Sequence, residues 1–109
     1  MTMPDANKSP MPVLPNDVKE YRSTPVFTEE NVPAALQKDH RTKSGVWGLI
    51  VVSSGELIYH ITEPGFEGIY RLSPECDGVI TPEHQHYVEL CGSAEFRVCF
   101  YRSQPIKKC

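Results

Sequence analysis

No CxxC pair occurs among the four cysteines, Cys76, Cys91, Cys99 and Cys109, which excludes zinc-ribbon and thioredoxin-like spacings. An excess of positive charge is missing as well. Eleven basic residues stand against fourteen acidic ones, a net charge of -3, so no overall positive field gathers the phosphates of a nucleic acid. The longest apolar runs, such as 49–52, fall far short of the roughly 20 residues that a membrane helix needs. Residues 1–13 contain Asp5, Lys8 and three prolines but no apolar stretch of the kind a secretory leader requires, and the protein is therefore expected in the cytoplasm. In that reducing compartment all four cysteines are expected as free thiols. Exposed Cys109 and then Cys76 are expected to react first with an oxidant, because access controls thiolate reactivity. No Ser-His-Asp or Cys-His nucleophile is legible in the linear sequence, and no catalytic residue is assigned.

Strong helix signals are scarce too. The only short candidate, 29–37, is interrupted by Pro33 and is too short to stand alone. What the 109 residues do contain is ten prolines and seven glycines, a composition of turn formers in a length that fits one domain. Residues 1–17 carry Pro4, Pro10, Pro12 and Pro15 among small and polar residues, and the sequence predicts a loose tail there, since such a stretch buries little. The folded domain is expected over 18–109. Turn signals then recur about every 10 residues, at Ser44-Gly45, Ser54-Gly55, Pro64-Gly65, Asp77-Gly78 and Cys91-Gly92, the rhythm of a sandwich or barrel. Between them the sequence predicts strands at 19–27, 35–41, 46–52, 56–62, 68–72, 78–82, 85–90 and 95–102. The clearest alternation puts Phe96, Val98 and Phe100 on one face and Arg97, Cys99 and Tyr101 on the other. The expected fold is all-β, a small cupin-like jelly-roll barrel, in which closure gives the strands a shared core.

Chemistry concentrates in 78–89, where a strand ends at Pro82 and the next begins with histidines. His84 and His86 stand two apart and would share a strand face, and His40 ends another predicted strand. Imidazoles converging inside a barrel bind zinc, iron, nickel or copper, and Cys99, Glu83 or Glu89 could complete such a set. The candidate metal ligands are thus His40, His86, Cys99 and His84, with a divalent transition metal (zinc, iron or nickel) as the candidate cofactor. The competing reading makes His84 a surface residue and His86 a hydrogen-bonded core histidine. Trp47, Tyr59 and Tyr70 read as core packing, and Arg41, Arg71 and Arg97 as solvated arginines or, alternatively, oxyanion-binding forks. His60 reads as a surface or partner-facing residue.

The fragments 21–27, 34–42, Gly45-Val-Trp-Gly48, Gly55-Glu-Leu57, Ile80-Thr-Pro82, His86-Tyr-Val-Glu89 and 96–101, in that order and spacing, resemble the TehB/YeaR-like domain family over about 21–102. The resemblance implies a cupin-like barrel, occurring alone or in front of a methyltransferase in tellurite-resistance proteins. It places the two family histidines at His40 and His86, and a position often acidic at Cys99, where a thiolate would favour softer metals. The early cupin motif would carry a HxH pair and a glutamate, and only His40 stands there. Neither a methyltransferase domain nor a GxGxxG loop appears in the sequence, so methyl transfer is not assigned to it.

Three functions follow as expectations. The first is a tellurite-resistance-associated stress module that binds a metal or a small anionic ligand or oxyanion. The second is a metal-dependent cupin-type enzyme acting on a small molecule. The third is an interaction module that pairs with itself, as a homo-oligomer, or with a separate methyltransferase.

Overall fold

A computed structural model describes residues 10–103. Its eight strands are β1 (Val18–Ser23), β2 (Phe27–Thr28), β3 (Trp47–Ser54), β4 (Leu57–Ile61), β5 (Gly68–Leu72), β6 (Gly78–Ile80), β7 (His86–Leu90) and β8 (Glu95–Ser103), with one 3-10 helix at Ala34–Gln37. They form two antiparallel sheets. The first runs β1-β8-β3-β6, with β2 also paired to β8; the second runs β5-β4-β7. The all-β reading is therefore correct. Among the described residues the ladders make two separate sheets and not one closed barrel.

The period-two pattern decides how the sheets face each other. Buried positions alternate along β3 (Gly48, Ile50, Val52), β4 (Leu57, Tyr59, Ile61) and β5 (Gly68, Tyr70, Leu72). Side chains on alternate positions of a strand share a face, so each sheet turns one apolar face inward. Ile50, Val52, Phe96 and Val98 from the first sheet meet Leu57, Tyr59, Leu72 and Val88 from the second in one core cluster. Burying each such side chain contributes roughly 1.5–3 kcal/mol. Tyr59 is the polar exception: its hydroxyl, shut inside the core, donates to the carbonyl of Val79 at 2.9 Å. Burial raises the Tyr59 phenol well above its ordinary value, which keeps it a neutral donor.

Two predicted strands come out differently. Segment 35–41 is not a strand: the 3-10 helix occupies Ala34–Gln37, entered from Pro33 in extended conformation. Proline fixes φ and places no N–H in the first turn, and Ala-Ala-Leu-Gln has little β-branching to resist the turn. Only His40 pairs, as an isolated antiparallel bridge to His86. Segment 19–27 is divided. β1 shifts register between Glu20 and Arg22 and stops at Ser23, and Pro25 separates it from β2, since proline cannot donate to a ladder.

The expected tail straddles the described boundary. Residues 1–9 lie outside it, while Met11 packs partly buried against the core. Of the predicted core aromatics, Tyr59 and Tyr70 are buried in the cluster; Trp47 pairs with Tyr101 and alternates to the outer face of the first sheet, where it is half-buried. Among the described residues no helix is long and apolar enough to cross a membrane.

Candidate functional site

The site grows from the backbone bridge that pairs His40 of the 39–46 loop with the second sheet. The backbone N–H of His40 donates to the carbonyl of His86 at 2.9 Å, and the N–H of His86 donates back at 3.0 Å. This single bridge adds His40 to the β7 edge that does not pair with β4. The two imidazoles thereby come together, ring centroids 4.1 Å apart and planes tilted by 58°. Each ring is oriented the same way. Nδ1 of His40 lies 2.9 Å from the carbonyl of Lys38, and Nδ1 of His86 lies 2.8 Å from the carbonyl of His84. A carbonyl only accepts, so Nδ1 carries a proton in each ring, and a ring that is neutral keeps Nε2 as an acceptor.

His86 is 1% exposed. Its Nε2 is cut off from solvent and has no hydrogen-bond partner. An acceptor left so costs about 1–3 kcal/mol, a burden a packed core does not need. Burial drives the imidazole of His86 down to about 4, against the weaker opposing effect of the His84 carbonyl and with a contribution from neighbouring His40. The ring is thus a neutral base at physiological pH.

Both histidines line a cavity of about 260 Å³ between the sheets. Its walls are apolar, from Ile50, Ile80, Val88, Phe96, Val98 and Phe100, and its rim carries Arg22, Arg41 and Lys43. No lining residue is acidic, on a chain whose acids outnumber its bases.

Arg41 is not a free fork. It donates to Oε1 of Glu63 at 2.6 Å, to the Glu83 carbonyl at 2.8 Å and to Oε1 of Gln85 at 2.9 Å. Glu63 also accepts from the backbone N–H of Gln85, which with Arg41 holds its carboxyl below the ordinary range. Arg41 thus clamps the His40 loop to the turn before β7. Glu83 in that turn has φ 66, a conformation unusual for a residue with a Cβ, and its N–H is taken by the Thr42 hydroxyl at 3.3 Å.

The remaining sequence candidates lie elsewhere. His84 packs on Phe66, centroids 4.4 Å apart, and does not line the cavity. Cys99 is 2% exposed, yet it falls between Val98 and Phe100 on the alternation of β8 and across from Leu49 and Ser23, on the face opposite the cavity. Sequence alone leaves this face open, and the pairing of Cys99 with Leu49 in the β3–β8 ladder resolves it. Among the described residues no group of three His, Cys, Asp or Glu side chains is placed to hold a metal ion. His60 stacks on Tyr87 at 4.3 Å and meets Glu89 at 2.9 Å on the outer face of the second sheet. Arg71 pairs with Glu56 there.

Cys76, Cys91 and Cys99 are free thiols, whereas Cys109 lies outside the described residues. Alkylation of the native protein, mapped by mass spectrometry, is expected to modify the exposed Cys76 and Cys91 quickly and Cys99 only after unfolding. Equal rates at Cys76 and Cys99 would contradict the placement of Cys99.

The class these features define is a two-sheet antiparallel β-domain with an apolar cavity lined in part by a pair of imidazoles. The TehB-like domain family matches residues 22–98, and the chain belongs to that family. It is 35% identical over 94 residues to the probable S-adenosyl-L-methionine-dependent methyltransferase TehB of Haemophilus influenzae strain Rd, covering 81% of this chain and 32% of that protein. The corresponding protein of Haemophilus influenzae strain 10810 is 32% identical over 92 residues, with the same coverage. The crystal structure of TehB from Haemophilus influenzae superposes with a TM-score of 0.72 at 33% identity, again over 81% of this chain and 32% of that one. A crystal structure of an Escherichia coli K12 protein gives a TM-score of 0.77 at 21% identity, over 87% of this chain and all of the other. The chain thus spans about a third of the length of the curated relatives it matches.

Proposed function

We propose that this domain is a small-ligand-binding module of a tellurite-associated stress response, with the cavity at His40 and His86 as its binding site and no methyl transfer of its own. The observation that carries the reading is an apolar cavity between the sheets whose lining includes His86, a buried ring with an unpartnered Nε2. Ligand sites are apolar concavities with a few placed polar groups, and a core histidine with no task would have both nitrogens satisfied. The relatives named as methyltransferases are about three times as long as the matched segment, which supports placing their catalysis outside the part they share with this chain.

Metal binding is the second reading, favoured by one observation: both rings are fixed through Nδ1 by backbone carbonyls, the arrangement that orients metal-binding imidazoles. The donor set does not fit a closed site. Zinc sites use three or four protein ligands, and here Cys99 is on the far face and His84 on Phe66, so His40 and His86 would hold zinc, iron or nickel only with ligands from outside the described residues. No step is assigned to such an ion.

The test is an amide NMR titration of the full chain with phenol, which offers an apolar body and an O–H donor, and separately with S-adenosyl-L-methionine. Phenol is expected to shift residues around Ile50, Ile80, His86 and Val98, and S-adenosyl-L-methionine to shift none. Saturable binding of S-adenosyl-L-methionine, or phenol shifts scattered over the surface, would overturn the reading.

A further inference from the structure

The cavity is sorted by depth into an apolar end and a charged mouth. Its buried lining is Ile50, Ile80, Val88, Phe96 and Val98, joined by His86. That imidazole offers nothing inward: Nδ1 faces the His84 carbonyl at 2.8 Å, and Nε2 is closed off from solvent and so from any ligand in the cavity. Every other polar lining residue is at least partly exposed. A polar atom carried to the buried end would lose its water and find no partner, which is costly.

The mouth has the opposite character. Arg22 and Lys43 stand there, exposed. Arg22 is the cross-strand partner of Phe100, and its guanidinium lies 5.6 Å from the centroid of that ring, which belongs to the wall. Further along β8 on the same face, the Arg102 guanidinium lies 4.3 Å from the ring centroid of Tyr21, another lining residue. Arg41 is already engaged by Glu63, and no carboxylate lines the cavity to neutralise the other cations. Glu20, the acid of β1, pairs with Tyr101 and so takes the other face of the sheet. Size sets a further limit. A cavity of roughly 150 Å³ admits a benzene ring, so about 260 Å³ admits roughly six to ten carbon atoms.

We propose that the cavity takes a monocarboxylate with an unsubstituted hydrocarbon body of roughly six to ten carbons, its bare end inward and its carboxylate at the mouth beside Arg22 and Lys43. The inference rests on the ligand-binding reading above and names its ligand class. The hydrocarbon covers the apolar wall, where burial is favourable, and the charge stays in water, where its desolvation is small. An inorganic oxyanion would leave that wall bare, and a ligand polar at both ends would strand one of them in the buried part. Exposed cations add a modest attraction that salt screens.

Amide NMR titrations of the full chain with octanoate, 1-octanol, octylamine and 8-hydroxyoctanoate, read at Ile50, Ile80, His86 and Val98, separate these contributions. Octanoate is expected to bind about threefold more tightly than octanol, and roughly tenfold or more above octylamine and 8-hydroxyoctanoate. Arg22→Gln combined with Lys43→Gln, both at exposed positions, is expected to bring octanoate down to the level of octanol and leave octanol unchanged. Added salt should act on octanoate in the same direction in the unaltered chain. If octylamine matches octanoate, the mouth does not select an anion and the proposal is wrong. If 8-hydroxyoctanoate matches it, the buried end accepts a polar group and the orientation is wrong. If octanoate leaves those amides unmoved while phenol shifts them, the ligand class fails and the ligand-binding reading stands. If neither shifts them, both fail.

Discussion

Acidification from pH 7 to about pH 4 is expected to remove on the order of 3 kcal/mol of folding stability through His86 alone. The ring titrates near 6.5 in an unfolded chain and near 4 in the fold, where burial disfavours the imidazolium. Between those values the unfolded chain binds a proton that the folded one refuses. Stability therefore rises with pH across the window: its full contribution is present above about 6.5 and is lost as the pH falls through 4. A tenfold difference in proton affinity between fold and unfolded chain is worth about 1.4 kcal/mol, and small domains have only about 5–15 kcal/mol in total. Urea unfolding of the native sequence and of His86→Leu at pH 7, 5.5 and 4.5 isolates the effect, because the leucine variant lacks the titration and should lose clearly less. Parallel pH profiles for the two would show that His86 is not the buried neutral base described here.

Gly55→Ala is expected to destabilise by about 3 kcal/mol. Gly55 sits in the β3–β4 connection with φ +76, and a Cβ there would stand 2.3 Å from the carbonyl oxygen of Ser93 and 2.9 Å from Cα of Ala94. Both neighbours are backbone, so neither can swing aside as a side chain would. The left-handed conformation costs roughly 1–2 kcal/mol with a Cβ, and forced overpacking adds about 1–3 kcal/mol. Gly92→Ala is the control: its φ is +75 but nothing lies within 4 Å of the added carbon, so only the conformational part should appear, about 1–2 kcal/mol. Chemical denaturation of both variants gives the comparison. Equal losses would mean that the approach of Ser93 to Gly55 is not tight.

These two residues also show what can be read in advance. Gly55 announces itself as a turn in the sequence, and the alternation of Phe96, Val98 and Phe100 places them on one face, because a strand's period of two is a local property. The nearness of His40 to His86 is an expectation carried by family resemblance, and the rings do meet at 4.1 Å. The route differs from the one expected. His40 reaches β7 by a single bridge after a 3-10 turn, since Pro33 and the Ala-Ala-Leu-Gln stretch favour a tight turn over a strand. The rest of the site is illegible for a physical reason: it is held by pairs far apart in the chain. Arg41 is occupied by groups 22 to 44 residues away, and nothing local distinguishes it from a solvated arginine. Cys99 looks available as a ligand in the sequence because the interior face of β8 is set by the partner sheet and not by β8 itself. The tautomer of His86, on which the chemistry turns, follows from a backbone carbonyl that no sequence pattern records.

The central claim is that His86, on the lining of the cavity, is a buried neutral ring whose Nε2 is an unprotonated, unpartnered acceptor. Long-range proton–nitrogen correlation spectra of the histidine rings, recorded at pH 7, test it at the atom concerned. The account predicts that Nδ1 of His86 carries the proton and that its Nε2 resonance is pyridine-like. An Nε2 that bears the proton would contradict it.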